Sequence, residues 1–229
     1  KRTKGAQMRK FLLAIILLML SYCLMAEEAD TLKINLALLN PQEINLELRV
    51  YAPMQRIYVT ANFSVEKDSL PEAMYHSIFL TKDARIEYIL INDKFVPPIY
   101  SSNLVPEHFN PVFPYPDMLK ENSNLNCLSF YLPNYEGKIN FTLRYSIPIP
   151  DWIKETDIRG YVTFSSNQNW YPRNLTGNCK VYARLLSSNY YTMELGTQCT
   201  IKEKDGVRTT EGYFIDSPAE QTILKIIKG

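Results

Sequence analysis

Two histidines, a few cysteines and one polar, aromatic loop are the residues of this chain whose types could do chemistry. His76 stands in "AMYHSIF" and His108 in "PEHFNP", and no HExxH, CxxC or GxSxG occurs anywhere. A catalytic zinc needs three protein ligands at set spacing, which two isolated histidines without helical context do not supply. His76 reads as a strand-edge residue and His108 as a loop residue. No strained nucleophile turn supports a Ser-His-Asp arrangement. The carboxylates are scattered, and 8 glycines form no phosphate-cradling loop. The residues therefore point to no catalytic group, no metal site and no cofactor in this chain.

The loop from Ser165 to Asn178 reads "SSNQNWYPRNLTGN". Its Ser, Asn and Gln content places it at a surface, where binding residues gather on loops held by a rigid scaffold. Trp170, Tyr171 and Pro172 have two readings. Pro172 sets a turn and the rings pack the loop onto the core rim, or the three form a loop platform facing a peptide or sugar. Burial is the commoner fate of large aromatics.

The elements that must position this loop show a period of two. Ile44, Leu46, Leu48 and Val50 share one face of "INLELRVY", and Ile57, Val59, Ala61, Phe63 and Val65 one face of "IYVTANFSV"; such alternation marks half-buried strands. "EYILINDKFVPP" predicts a hairpin turning near Asn92 and Asp93, and "KINFTLRYSIPIP" alternates until prolines stop it. Further strands are expected at "LSFYL", "GYVTF", "KVYARLL", "YTMEL", "TEGYFI" and "TILKII". "PPIYSSNLVPEHFNPVFPYPDML" is too proline-rich for regular structure and reads as one long surface connection. The fold class is all-β, a predominantly antiparallel β-sandwich. In that register the sequon residues Asn62 and Asn140 face outward, and Asn174 lies in the loop.

At the N-terminus, "MRK" precedes the apolar "FLLAIILLMLSYCLMA" and "EEAD" follows it. That order predicts a signal peptide over residues 1–26, cut after Ala26, with residues 1–7 preceding a natural start at Met8. A membrane association would arise only through an uncleaved segment or through lipidation of Cys23, to which the bulky Tyr22 is ill suited. The domain reading is a leader at 1–26, a lead-in at 27–43 and the β-sandwich at 44–229. Export to the periplasm, the extracellular space or the cell surface follows from the leader. Beyond it, 20 basic and 24 acidic residues leave a net charge of about −4. No clustered basic face exists for phosphates, so nucleic acid is not an expected partner.

An oxidising compartment lets cysteines pair. Cys127, Cys179 and Cys199 remain, an odd number, so at least one is free or intermolecular. Cys179 and Cys199 flank two strand-like segments and would meet if these formed a hairpin, which makes them the disulfide candidate. The alternative is three buried thiols acting as small apolar groups.

The order of the strands resembles the N-terminal β-domain, with its saddle-like sheets, of the aminopeptidase N (membrane alanyl aminopeptidase) family of gluzincin zinc metallopeptidases. The parts that carry it are Val59 to Val65, Ile78 to Leu80, the hairpin Ile86 to Val96, Leu128 to Pro133, Gly137, Ile139 to Ile147 and the turn "NQNWYP". Gly196 and Gly229 stand where the glycines of the closing sheet fall, so the likeness runs over about residues 44 to 229. It implies that HExxH, the completing glutamate and the zinc lie in a helical C-terminal domain. It also implies that Gln168 grips the free amine of a peptide substrate, with Asn169 beside it in the cleft. The expected partners are thus a C-terminal peptidase domain and a peptide. The reading of another class is a standalone exported β-sandwich that binds a protein or glycan as a scaffold.

Overall fold

Alternation of apolar and polar residues becomes strand after strand in the computed structural model, which describes residues 36–101, 125–151, 153–154, 160–188, 190–218 and 221–228. The strands are β1 (Leu36–Leu38), β2 (Glu43–Tyr51), β3 (Arg56–Glu66), β4 (Tyr75–Thr81), β5 (Arg85–Ile91), β6 (Lys94–Phe95), β7 (Ile99–Ser101) and β8 (Leu125–Phe130). They continue as β9 (Lys138–Pro148), β10 (Ile153–Lys154), β11 (Gly160–Ser165), β12 (Cys179–Ser188), β13 (Tyr191–Leu195), β14 (Thr200–Lys204), β15 (Val207–Asp216) and β16 (Ile223–Lys228). The helical turns among the described residues are short 3-10 turns. The fold is all-β, as the periodicity predicts.

Three sheets form. An eight-stranded sheet runs β14-β15-β12-β2-β3-β9-β5-β6, and two four-stranded sheets run β1-β4-β8-β7 and β10-β11-β16-β13. Most pairs are antiparallel, but β1 joins β4 and β12 joins β2 in parallel. A parallel pair needs a crossover rather than a tight turn. β2 and β12 are more than a hundred residues apart in sequence, so local periodicity carries no trace of their pairing.

Register sets the core. Ile44, Leu46 and Leu48 face Phe63, Ala61 and Val59 across the β2–β3 pair, and those face Phe141, Leu143 and Tyr145 of β9. All nine side chains are buried in one apolar cluster. Phe63 and Phe141 stack at 4.9 Å, and Phe130 of β8 meets Phe141 edge-on at 5.4 Å. Asn92 and Asp93 both take positive φ between β5 and β6. These are the left-handed conformations that a two-residue hairpin turn demands and that Asn and Asp tolerate.

Several expectations change. Leu36–Leu38, inside the 27–43 lead-in, forms a buried strand on β4. Ile99–Ser101, inside the proline-rich connection, pairs with β8. His76 is not at a strand edge, because β4 lies between β1 and β8, and the side chain is buried. Asn62 and Asn140 point outward as expected. The 1–26 leader, Cys23 and His108 lie outside the described residues.

Candidate functional site

The loop begins where β11 stops. Ser166–Gln168 form a 3-10 turn closed by Asn169, whose φ of 48° turns the chain back. Ser165 and Gln168 form a reciprocal capping box. Ser165 Oγ accepts from the Asn167 N–H at 3.3 Å, and Gln168 Oε1 accepts from the Ser165 N–H at 3.2 Å. The Ser165 and Asn167 backbone donors are thereby satisfied. Cross-links then fix it in place. The Ser166 N–H donates to Thr222 O, the Thr222 N–H to Ser166 Oγ, and Gln221 Nε2 to Ser165 Oγ at 2.6 Å. The Thr81 N–H donates to Asn169 O, and the Tyr145 hydroxyl to Trp170 O at 2.9 Å. The turn is thus tied to three separate parts of the fold.

Beyond the turn the chain dives inward. Trp170 and Tyr171 are 3% and 0% exposed, and Pro172 is buried too. Trp170 packs on Phe164 at 5.8 Å and edge-on to Tyr171 at 4.6 Å, and Tyr171 continues to Phe214 at 6.0 Å. These rings brace the loop from the inside, and little of their surface is left exposed. Asn174 lies in the loop as expected but is buried. Its Oδ1 accepts from the Thr176 and Gly177 N–H groups, and its Nδ2 donates to Pro41 O. A glycan on this side chain would not be compatible with these bonds in the folded state.

The turn borders an open cavity of about 400 Å³ whose walls include Thr81, Asp83, Pro148, Gln168, Trp170 and Gln221. Gln168 is exposed and Asn169 is buried, so the structure brings Gln168 to the cavity and turns Asn169 into the wall. Among the described residues lining it, Asp83 is the one charged group. A sequence reading has no means of finding Asp83, since its arrival depends on the turn between β4 and β5 folding against the end of β9.

Cys179 and Cys199 are not bridged. The hairpin that would join them does not form: β12 pairs with β15 and β2, while β13 pairs with β16 in another sheet. Cys179 opens β12 opposite Asp216, whereas Cys199 sits against Gly212, the partner of Ala183. Four residues of strand, about 13 Å, separate the two levels, well beyond the ~7 Å between Cα atoms that a disulfide tolerates. Burial, then the Asp216 carboxylate, push the Cys179 thiol up to about 12. Among the described residues no group of three or more His, Cys, Asp or Glu could hold a metal ion. These residues do not fit a zinc site.

No family model and no curated protein sequence matches the chain. Solved structures do. The M1 zinc metallopeptidase of Deinococcus radiodurans, in an E323A mutant bound to a Tyr-Ser-Ala substrate, superposes with a TM-score of 0.54 at 12% identity. Yeast LTA4 hydrolase superposes with a TM-score of 0.55 at 10% identity. The matches take in 81% and 82% of this chain but 42% and 28% of those proteins. The chain has the fold of an M1 aminopeptidase N-terminal domain. At such identity the likeness concerns the fold, and the residues at the cavity must be judged by their own chemistry. In this fold the Ser165–Trp170 turn borders the cavity with two exposed side chains, Asn167 and Gln168.

Proposed function

We propose that this chain is the noncatalytic N-terminal β-domain of an exported M1-type zinc aminopeptidase, and that the Ser165–Trp170 turn forms one wall of its substrate cleft. The observation that carries this reading is the arrangement of Gln168 and Asp83 around the rim cavity of a domain with the M1 N-terminal fold. A protonated peptide amine asks for an acceptor and a negative charge. Gln168 Oε1 spends one lone pair on the Ser165 N–H and keeps a second, and the Asp83 carboxylate supplies the charge. The capping box and the cross-links to Thr81 and Thr222 hold the turn rigid, so little ordering entropy opposes binding. Zinc and the chemical step would belong to a C-terminal peptidase domain, to which the described residues contribute no ligand.

The test is the coding sequence beyond Gly229 and the kinetics of its product. A following helical region with HExxH, and a Gln168→Ala enzyme whose kcat/KM falls about 10-fold or more, ~1.4 kcal/mol, with the fold intact, support the proposal. A stop codon directly after Gly229, or unchanged kinetics in that variant, overturns it.

A further inference from the structure

The outer face of the eight-stranded sheet holds a second site, remote in sequence from the Ser165–Trp170 turn. Cross-strand register places Tyr213, Tyr182, Asn45, Asn62 and Thr142 in one row across five adjacent strands, each opposite the next. At the usual strand spacing the row spans about 19 Å. Two cavities lie along it. One of about 540 Å³ is bordered by Tyr213, Tyr182, Asn45 and Asn62, and one of about 410 Å³ shares Asn45 and Asn62 and continues to Thr142 and Asn140. Together they form a single groove that crosses the strands.

The chemistry of the walls selects the occupant. Tyr182 and Tyr213 lie 6.0 Å apart with their planes tilted by 46°, and Lys180 Nζ stands over both rings at 4.6 and 5.0 Å. Lys180 itself does not border the cavity. Tyr213 is 49% exposed. The amides and hydroxyl of Asn45, Asn62 and Thr142 provide donors and acceptors in alternation, with the Thr142 hydroxyl donating to Asn62 Oδ1 at 2.8 Å. The charged residues bordering the two cavities are of both signs: Arg184 bonds Glu211 at 3.2 Å, Glu47 holds Arg49 at 2.8 Å, and Glu43 and Lys138 border the far end.

A phosphorylated or sulfated ligand needs a cluster of cations, whereas the walls carry Glu43, Glu47 and Glu211 against Arg184 and Lys138. An extended peptide adds itself to a sheet edge, but the backbone groups of the interior strands are already spent on the ladder. An apolar ligand finds a floor of amides. Rings that offer an apolar face, beside planar amides that pair with vicinal hydroxyls, suit an uncharged pyranose chain. We propose that this groove binds a neutral oligosaccharide lying across β15, β12, β2, β3 and β9, with Tyr182 and Tyr213 against one sugar ring and Asn45 and Asn62 hydrogen-bonded to the hydroxyls of the next.

The experiment is a calorimetric and NMR titration of the full chain with maltohexaose, cellohexaose and chitohexaose, and with a sulfated heparin hexasaccharide. Saturable binding of at least one neutral hexasaccharide is expected, with amide shifts on β12, β15, β2 and β3. Tyr213→Ala and Asn45→Ala, both at exposed positions, are each expected to weaken it about 10-fold, ~1.4 kcal/mol, with unchanged circular dichroism. The proposal is overturned if no neutral hexasaccharide binds, if the shifts map elsewhere, if the sulfated sugar binds more tightly, or if both folded variants bind as the parent does.

Discussion

Arg173 and Asp216 form a two-pronged ion pair sealed inside the protein, with Nε to Oδ2 at 2.7 Å and Nη2 to Oδ1 at 2.8 Å, both side chains fully buried. Arg173 follows the aromatic brace of the loop and Asp216 ends β15, so the pair ties the candidate site to the largest sheet. The geometry matches the planar fork of guanidinium to carboxylate. Removing one partner strands a buried charge. Asp216→Ala is expected to cost roughly 3–5 kcal/mol, and Arg173→Met with Asp216→Leu together clearly less. Urea midpoints of the two variants check this. A single variant as stable as the parent contradicts it.

Gln168 is both a cap and a cavity wall, and the two roles separate experimentally. Its Oε1 holds the Ser165 N–H, so Gln168→Ala is expected to lower stability by about 1 kcal/mol in this chain, whatever it does to a substrate. Thermal unfolding measures the cap, and peptide kinetics measure the wall. A variant with unchanged stability would show that the capping bond contributes nothing.

The thiols have a definite order of access. Cys127 and Cys179 are buried, while Cys199 is partly exposed. Burial pushes the Cys127 thiol up, and burial followed by Asp216 does the same for Cys179, so thiolate is scarce at both near neutral pH. Of the three cysteines after the leader, Cys199 is expected to be alkylated first, and the other two only on unfolding. Peptide mass spectrometry after brief alkylation reads this directly. Recovery of a Cys179–Cys199 bridged peptide from the native chain would overturn the register of β12, β13 and β15.

Much of the fold was legible because burial on one face of a strand writes itself as alternation. Ile57, Val59, Ala61, Phe63 and Val65 face the core as their spacing requires, and Asn92–Asp93 turn the hairpin that their tolerance of positive φ allows. Pairing between distant strands was not legible. The parallel contact of β2 with β12 depends on the packing of the whole domain, and the false Cys179–Cys199 hairpin arose from reading neighbours in sequence as neighbours in a sheet. Leu36–Leu38 escaped notice because three residues are too few to show a period. At the candidate site, the loop's polar composition placed Gln168 at the surface, and the usual burial of large aromatics pointed to the packing of Trp170 and Tyr171. Asp83 gave no signal, since its place beside the turn comes from tertiary folding alone.

His76 makes stability depend on pH. It lies on β4, an interior strand of its sheet, with Nε2 3.0 Å from Pro71 O, and its buried Nδ1 has no hydrogen-bond partner among the described residues. Desolvation is the leading cause that holds its pKa below 6.5, and the nearby Lys67 charge adds to it, while the hydrogen bond to Pro71 opposes both. Between the depressed folded value and the unfolded value of about 6.5, the unfolded chain binds the proton and the folded chain does not. Stability from this group is therefore complete above about pH 6.5 and is lost as pH falls toward the folded pKa. His76→Gln, which keeps a donor for Pro71 O but does not titrate, is expected to be less stable than the parent at neutral pH and to show a flatter decline between pH 7 and pH 5. Urea unfolding of both proteins across that range decides it: parallel curves would mean that His76 takes no part in the pH dependence.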